Sequence, residues 1–207
     1  MRIGIIGAGH IGSTLAKYFV SAGHLVAIAN SRGPETLRDL EADLGYNAEA
    51  TTAPGAGRFG EVAVVSVPFG RYTEIPVAEL AGKTVVDTMN YHPQRDGVYP
   101  QLDSDDTTSS ELLQRHLSSS HVVKAFNTTP FDKLRDFPRT GGEALLYGVP
   151  VAGDDDAAKR CAFDLIEEMG FQPVDTGSLA EGGRKQQPDS SVFGVVLPAE
   201  ELRARLS

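Results

Sequence analysis

The sequence predicts an α/β protein, a doubly wound parallel sheet with a small C-terminal extension. Three observations predict it. The strand segments are almost continuously apolar, as expected of strands buried on both faces. These segments alternate with amphipathic helical stretches along the chain. The first of them runs straight into "GAGHIGSTLA", a glycine-rich turn that opens a helix.

Residues 1–6 are read as a short strand. Residues 10–22 follow as a helix with Ile11, Leu15, Tyr18 and Phe19 on one stripe. Gly23 ends it, because glycine takes the left-handed conformation cheaply. Residues 25–29 form a second apolar strand. Strand, helix and strand in this span make a βαβ unit, which is right-handed almost without exception. Residues 34–44 are the next helix, with Pro34 suited to its first turn and Gly45 to its end. A short strand at 47–51 follows. Residues 54–60 are rich in glycine, so the connecting helix there is expected to be short or broken. Residues 62–67 make a strong strand that Pro68 stops. A helix at 72–80 and a buried strand at 84–88 come next. Clusters of Pro, Gly, Asp and Ser mark residues 90–120 as a long loop holding one helix, 109–117. Strands follow at 121–126 and 144–150. Residues 154–169 are the clearest late helix, with Ala158, Ala162, Leu165, Ile166 and Met169 on one face. A strand at 171–175 and a short closing helix in "PAEELRARL" complete the reading.

The composition limits the function. The formal net charge of −9 over 207 residues describes a surface that repels nucleic acid and anionic lipid. No apolar run approaches the ~20 residues of a membrane span, and no signal-peptide pattern precedes the first strand. The cytoplasm is therefore the expected location, and a small molecule the expected partner. The single cysteine, Cys161, excludes a disulfide framework and a zinc quartet. It lies in an apolar helical pattern and is read as a buried, inert thiol. No metal site is expected.

"GIIGAGHIGSTLA" contains G-x-G-x-x-G between a strand and a helix, the context that makes this pattern specific for a dinucleotide. Gly7 permits the tight turn out of the strand. Gly9 lets a pyrophosphate approach the backbone, and Gly12 lets the helix pack close to the sheet. His10 and Ile11 offer backbone N–H groups at the helix start, where an anion is favoured. The fold is thus expected to be Rossmann-type. Residues 1–140 form the nucleotide-binding domain, and residues 141–207 a substrate or dimerisation lobe continuing the same fold.

In the NAD version of this site, an Asp or Glu about 20 residues on accepts from the ribose 2′-hydroxyl. Here the second strand ends in Asn30, Ser31 and Arg32, with no carboxylate. A hydroxyl and a planar guanidinium at the start of the next helix suit a 2′-phosphate, so NADP(H) is expected over NAD(H). Ligands of such sheets bind outside the carboxyl ends of the strands. Ser66, Val67 and Pro68, then Met89 and Asn90, then Ala125, Phe126 and Asn127 occupy those ends and should converge on the ribose and nicotinamide. The histidines are scattered and no proton-transfer device is found, so no catalytic side chain is assigned. Hydride transfer between two rings held face to face needs none.

"GIIGAGHIGSTLA", "NSRGPETL", "VVSVPFG", "VVDTMN", "VVKAFNT" and "PVAGDDDAAK" occur in this order. Together they resemble the NADP oxidoreductases dependent on coenzyme F420, over about residues 1–175. The resemblance implies a hydride passed between NADP(H) and a deazaflavin, in a homodimer. It implies that Gly7, Gly9, His10, Ile11 and Gly12 hold the pyrophosphate and that Ser31 and Arg32 hold the 2′-phosphate. Ser66, Val67 and Pro68 would line the ribose side, and Ala125, Phe126 and Asn127 the nicotinamide side. Arg184 and Lys185 are the adjacent basic pair that could meet the anionic deazaflavin, or a solvated surface pair. Two other functions stay open: an NADPH-dependent reductase of a flavin, quinone or small carbonyl compound, and an NADP(H) sensor without turnover.

Overall fold

The computed structural model describes residues 1–136 and 146–207. Its strands are β1 (Arg2–Ile6), β2 (Leu25–Ala29), β3 (Ala48–Thr51), β4 (Val62–Val65), β5 (Thr84–Asp87), β6 (His121–Lys124), β7 (Gly148–Gly153) and β8 (Gln172–Gly177). They form one eight-stranded sheet in the order β3-β2-β1-β4-β5-β6-β7-β8. The direction of winding reverses between β1 and β4, the place where such sheets open a ligand crevice. Neighbouring strands are parallel except β6 and β7, which are antiparallel. The fold is Rossmann-like, as expected from the sequence, with its last two strands reversed.

Alternation along each strand divides the core between the two faces. Ile3, Ile5, Val26, Ile28, Val64 and Val123 pack on one side with the helices His10–Ser21 and Asp156–Glu168. Ala27, Ala29, Ala63, Val65, Val85 and Val122 pack on the other, under helix Ser109–His116. The small residues of this second face have a purpose. A Cβ on Gly4 would stand 2.1 Å from the carbonyl oxygen of Ala56. The glycine-rich connection therefore does form a helix, Ala53–Phe59, capped where Thr52 Oγ1 accepts from the Gly55 N–H at 3.2 Å. It is short, as expected, and it lies almost on the sheet backbone.

Several elements differ from the sequence reading. The helix expected at 34–44 is a 3-10 turn, Pro34–Leu37, followed by helix Arg38–Leu44. The helix expected at 72–80 is a 3-10 turn, Phe69–Glu74, and one short turn, Val77–Leu80, because Pro76 cannot continue a helix. The long loop holds two further short helices, Pro93–Asp96 and Pro100–Asp103. Helices Phe131–Asp136 and Glu181–Arg184 carry no sequence signal strong enough to be expected. The strand expected at 144–150 is found from Gly148; its first two residues lie outside the described residues.

At the carboxyl ends of β5 and β6, an ion pair lies wholly inside the protein. Lys124 Nζ stands 3.3 Å from Asp87 Oδ2, with the two side chains 1% and 0% exposed. Ser110 Oγ donates to the same Asp87 oxygen at 2.6 Å, and the Met89 N–H donates to Asp87 Oδ1 at 2.8 Å. Lys124 Nζ also donates to the Met89 carbonyl at 2.9 Å. Taking two charges out of water is costly, and removing one partner strands the other. Lys124→Met is therefore expected to lower unfolding stability by about 3–5 kcal/mol, measured by urea denaturation at pH 7. Asp87→Asn combined with Lys124→Met should recover most of that loss. A single variant as stable as the parent would contradict this account.

Candidate functional site

A cleft of about 470 Å³ opens outside the carboxyl ends of β1, β2 and β4. Of the residues expected from the sequence, Gly7, Gly9, Asn30, Ser31, Arg32, Ser66, Val67 and Pro68 line it. Ala53, Arg71, Glu74 and Ile75 close its far side. The glycines divide into structural and open positions. Gly7 sits at φ +115, and a Cβ there would lie 2.1 Å from the Ser66 carbonyl. A Cβ on Gly12 would lie 1.9 Å from the Gly7 carbonyl. Both are demanded by backbone packing. Gly9 is different: a Cβ there meets nothing within 4 Å. It is exposed at the N-cap of helix His10–Ser21, with no side-chain cap on that end. The free backbone N–H groups of this turn therefore face an open cradle that suits a phosphate group. The His10 ring does not enter the cradle. It stacks on Phe131 with centroids 4.3 Å apart, leaving His10 its backbone N–H to offer.

At the end of β2 the Asn30 side chain braces the turn. Its Oδ1 accepts from the Arg32 N–H at 2.9 Å, and its Nδ2 donates to Thr36 Oγ1 at 2.9 Å. Thr36 Oγ1 in turn donates to the Gly33 carbonyl at 2.8 Å, and Gly33 sits at φ +100. Ser31 and Arg32 project from this braced turn. Both are exposed, and among the described residues neither side chain has a hydrogen-bond or ion-pair partner. The 3-10 turn that follows carries a smaller dipole than the long helix expected there, so the donor set rests on these two side chains. Arg71, which the sequence reading did not single out, is engaged differently. Its Nε donates to both carboxylate oxygens of Glu74, at 3.0 and 3.1 Å, and these bonds push its guanidinium up.

Met89, Asn90, Ala125, Phe126 and Asn127 do not line the cleft. They form a second, polar cluster beside it, at the ends of β5 and β6. Asn90 Nδ2 donates to the Asn127 carbonyl at 2.8 Å, and Asn127 Nδ2 donates to Asn90 Oδ1 at 3.0 Å. Asn127 Nδ2 also donates to the Gln186 carbonyl at 2.7 Å. Phe126 is held at φ +62, a left-handed conformation uncommon for a bulky residue. The strain turns the chain out of β6 so that Asn127 can face Asn90. His10, Ile11 and Gly12 form the first turn of helix His10–Ser21 and are not among the residues lining the cleft.

Other candidates resolve as structural. Arg184 is tied to Asp105 (Nε to Oδ2, 3.1 Å), and Lys185 Nζ donates to the Leu206 carbonyl at 2.7 Å. The basic pair is therefore spent holding the long loop and the closing helix. The histidines find partners that only the tertiary fold supplies: His24 with Glu168 at 2.7 Å and His121 with Asp155 at 3.3 Å. Cys161, expected to be buried, is half-buried, and that burial pushes its thiol up. Sequence reasoning missed Asp87 and Lys124 as a unit. The signal was present, because "VVD" and "VVK" place opposite charges at matching ends of adjacent apolar strands. No sequence signal marks Gln186.

Comparison with known proteins agrees with this geometry. Residues 2–91 match the family described as NADP oxidoreductase, coenzyme F420-dependent. The chain is 30% identical over 184 residues to the metalloreductase STEAP3 of Rattus norvegicus, a match covering 86% of this chain and 34% of that protein. The chain thus spans about a third of that relative's length. A hypothetical protein from Sinorhizobium meliloti superposes with a TM-score of 0.83 at 31% identity, over 96% of this chain and 95% of the other. A protein from Arthrobacter sp. FB24, proposed to be an F420-dependent NADP reductase, superposes with a TM-score of 0.76 at 24% identity, over 94% and 97% of the two chains. This last likeness speaks for the fold alone.

Two measurements test the cleft. Gly9→Ala should leave the melting temperature within about 2 °C of the parent while weakening NADPH binding at least roughly tenfold, since the methyl enters the cradle. Gly12→Ala should instead destabilise the fold. If Gly9→Ala bound NADPH normally, the cradle would not be a phosphate site. Arg32→Ala is expected to weaken NADPH binding by about 1.5–3 kcal/mol, the scale of hydrogen bonds to a charged group, with NADH nearly unaffected. Titration calorimetry with both nucleotides decides it, and equal losses would remove Arg32 from the 2′-phosphate.

Proposed function

We propose that this chain, whose residues 2–91 match the family described as NADP oxidoreductase, coenzyme F420-dependent, passes a hydride between NADP(H) and a deazaflavin of the coenzyme F420 type. The observation that carries the nucleotide half is the pairing of an open Gly9 cradle with unpartnered Ser31 and Arg32 side chains on one cleft. The backbone N–H groups at the start of helix His10–Ser21 would bind the pyrophosphate. Ser31 and Arg32 would bind the 2′-phosphate, where a carboxylate would repel it. Ser66, Val67 and Pro68 would support the ribose.

NADPH brings the hydride chemistry with it, so the protein's task is to position two rings and exclude water. The polar cluster of Met89, Asn90 and Asn127 is suited to that task. The ion pair beneath it fixes both backbone groups of Met89. A homodimer, and a role for residues 141–207 in substrate binding, belong to the same proposal. A second reading, an NADPH-dependent reductase of another acceptor, is favoured by the identity to a protein named a metalloreductase.

Stopped-flow absorbance with NADPH and oxidised deazaflavin separates the readings. Bleaching of the deazaflavin band coupled to NADPH loss is the expected result. NADPH oxidation only with a flavin, quinone or other acceptor would transfer support to the second reading. Tight NADPH binding without turnover would sink both.

A further inference from the structure

Arg71 and Glu74 are the charged residues of the cleft that the nucleotide reading leaves without a task. Glu74 is the one acidic residue among those lining a cleft otherwise suited to an anion. Both stand on the 3-10 turn Phe69–Glu74, which follows Pro68. Three residues make one turn of a 3-10 helix, so side chains at i and i+3 lie one above the other. Arg71 and Glu74 have this spacing. Arg71 Nε donates to both Glu74 carboxylate oxygens, at 3.0 and 3.1 Å, and Nη2 donates to Oε2. The turn itself is firmly mounted. Phe69 is fully buried, stacks on Tyr72 with centroids 4.9 Å apart, and meets Tyr91 and Tyr99 edge-on at 5.8 and 5.3 Å. Ile75, directly after the turn, is buried, and its carbonyl accepts from His116 Nε2 at 3.0 Å.

The pair contributes little to stability. Its side chains are 47% and 59% exposed, and ion pairs in that setting are weak. Its effect is on the chemistry of the cleft. The guanidinium offsets the charge of a carboxylate that would otherwise repel a nucleotide. The same hydrogen bonds hold the Glu74 carboxyl below its ordinary value, so it stays ionised and can only accept. A carboxylate has about four acceptor sites, and the three bonds from Arg71 leave it room for another donor. Apolar residues line the same cleft, among them Ala53, Pro68 and Ile75. A flat, largely apolar group with an N–H at its edge suits such a place. A purine base with an exocyclic amino group has that form.

We propose that Glu74, positioned by Arg71, accepts a hydrogen bond from the exocyclic amino group of the nucleotide's purine base, and so selects a 6-aminopurine over a 6-oxopurine. This rests on the reading that Ser31 and Arg32 hold the 2′-phosphate in this cleft, because the ribose that carries that phosphate also carries the base. In a 6-oxopurine a carbonyl oxygen replaces the amino group and would face the carboxylate, acceptor against acceptor. Mismatched polar groups are rejected more strongly than a change in apolar contact.

Titration calorimetry with NADP+ and with its hypoxanthine analogue, in which the 6-amino group is a carbonyl, tests this with no electron acceptor present. The ratio of the two dissociation constants is compared, since general changes of charge in the cleft cancel in it. The unaltered protein should prefer NADP+ by about tenfold, the scale of one hydrogen bond to a charged group on an open edge. Glu74→Met should abolish the preference. Arg71→Met should reduce it, because the carboxylate is then no longer held. Both side chains are exposed, so both variants should melt within about 2 °C of the parent. Equal affinity of the unaltered protein for the two nucleotides would overturn the proposal, and that measurement needs no variant. A preference that survives Glu74→Met would also overturn it. So would weaker binding of both nucleotides to Arg71→Met at an unchanged ratio, which would make Arg71 a phosphate ligand. If the unaltered protein binds neither nucleotide, the 2′-phosphate reading fails and this assignment falls with it. If it binds both equally, only this assignment falls.

Discussion

The ligand edge of this sheet depends on a pair of opposite charges with no access to water. Asp87 and Lys124 face each other at matching positions of β5 and β6, and each satisfies the other. Such a pair contributes little net stability over an apolar one. What it supplies is placement. Its hydrogen bonds take both the N–H and the carbonyl of Met89, the residue from which the chain leaves β5. With Met89 fixed, Asn90 can reach Asn127, and Asn127 can reach Gln186. Ser110 supplies the remaining bond from a helix whose start is set by a capping box between Thr108 and Glu111. Four stretches of chain are thus brought together around one buried charge pair.

The other half of the edge is held by close approach rather than by charge. Gly4 against Ala56, Gly7 against Ser66 and Gly12 against Gly7 are contacts at which a Cβ would not fit. They pull the helices His10–Ser21 and Ala53–Phe59 down onto β1 and leave an open trough above Gly9. The trough thus presents backbone groups, and a Cβ on Gly9 would meet nothing within 4 Å. At its rim the Asn30 brace presents Ser31 and Arg32.

These two ways of building explain what could be read in the sequence. Glycine spacing, apolar runs and a missing carboxylate are local, and they located β1, β2 and the cleft residues nearly to the position. The 3-10 turns at Pro34–Leu37 and Phe69–Glu74 were less legible, because proline and glycine mark a break without saying which short turn fills it. The partners of Lys124, Arg184 and His24 lie 37, 79 and 144 residues away, a separation no spacing rule spans. Gln186 is the extreme case. Its neighbours in sequence are polar and its environment is wholly buried, so nothing local distinguishes it from a surface residue.

The reversal of β7 connects these halves. Because β7 runs against β6, and β8 runs with β7, the chain leaving β8 does not continue outward along the sheet. It turns back through Glu181–Arg184 and crosses the end of β6, where Gln186 meets Asn127. A sixth parallel strand extended by further parallel strands would have carried that chain away from the ligand edge. The cleft at the ends of β1, β2 and β4 is therefore written in backbone geometry near the amino terminus. The polar cluster beside it is assembled by topology from residues 87–90, 124–127 and 186. Substitutions in the 186–194 segment can then alter the polar cluster without disturbing the open cradle, since among the described residues Gly9 and Asn127 share no hydrogen-bond partner.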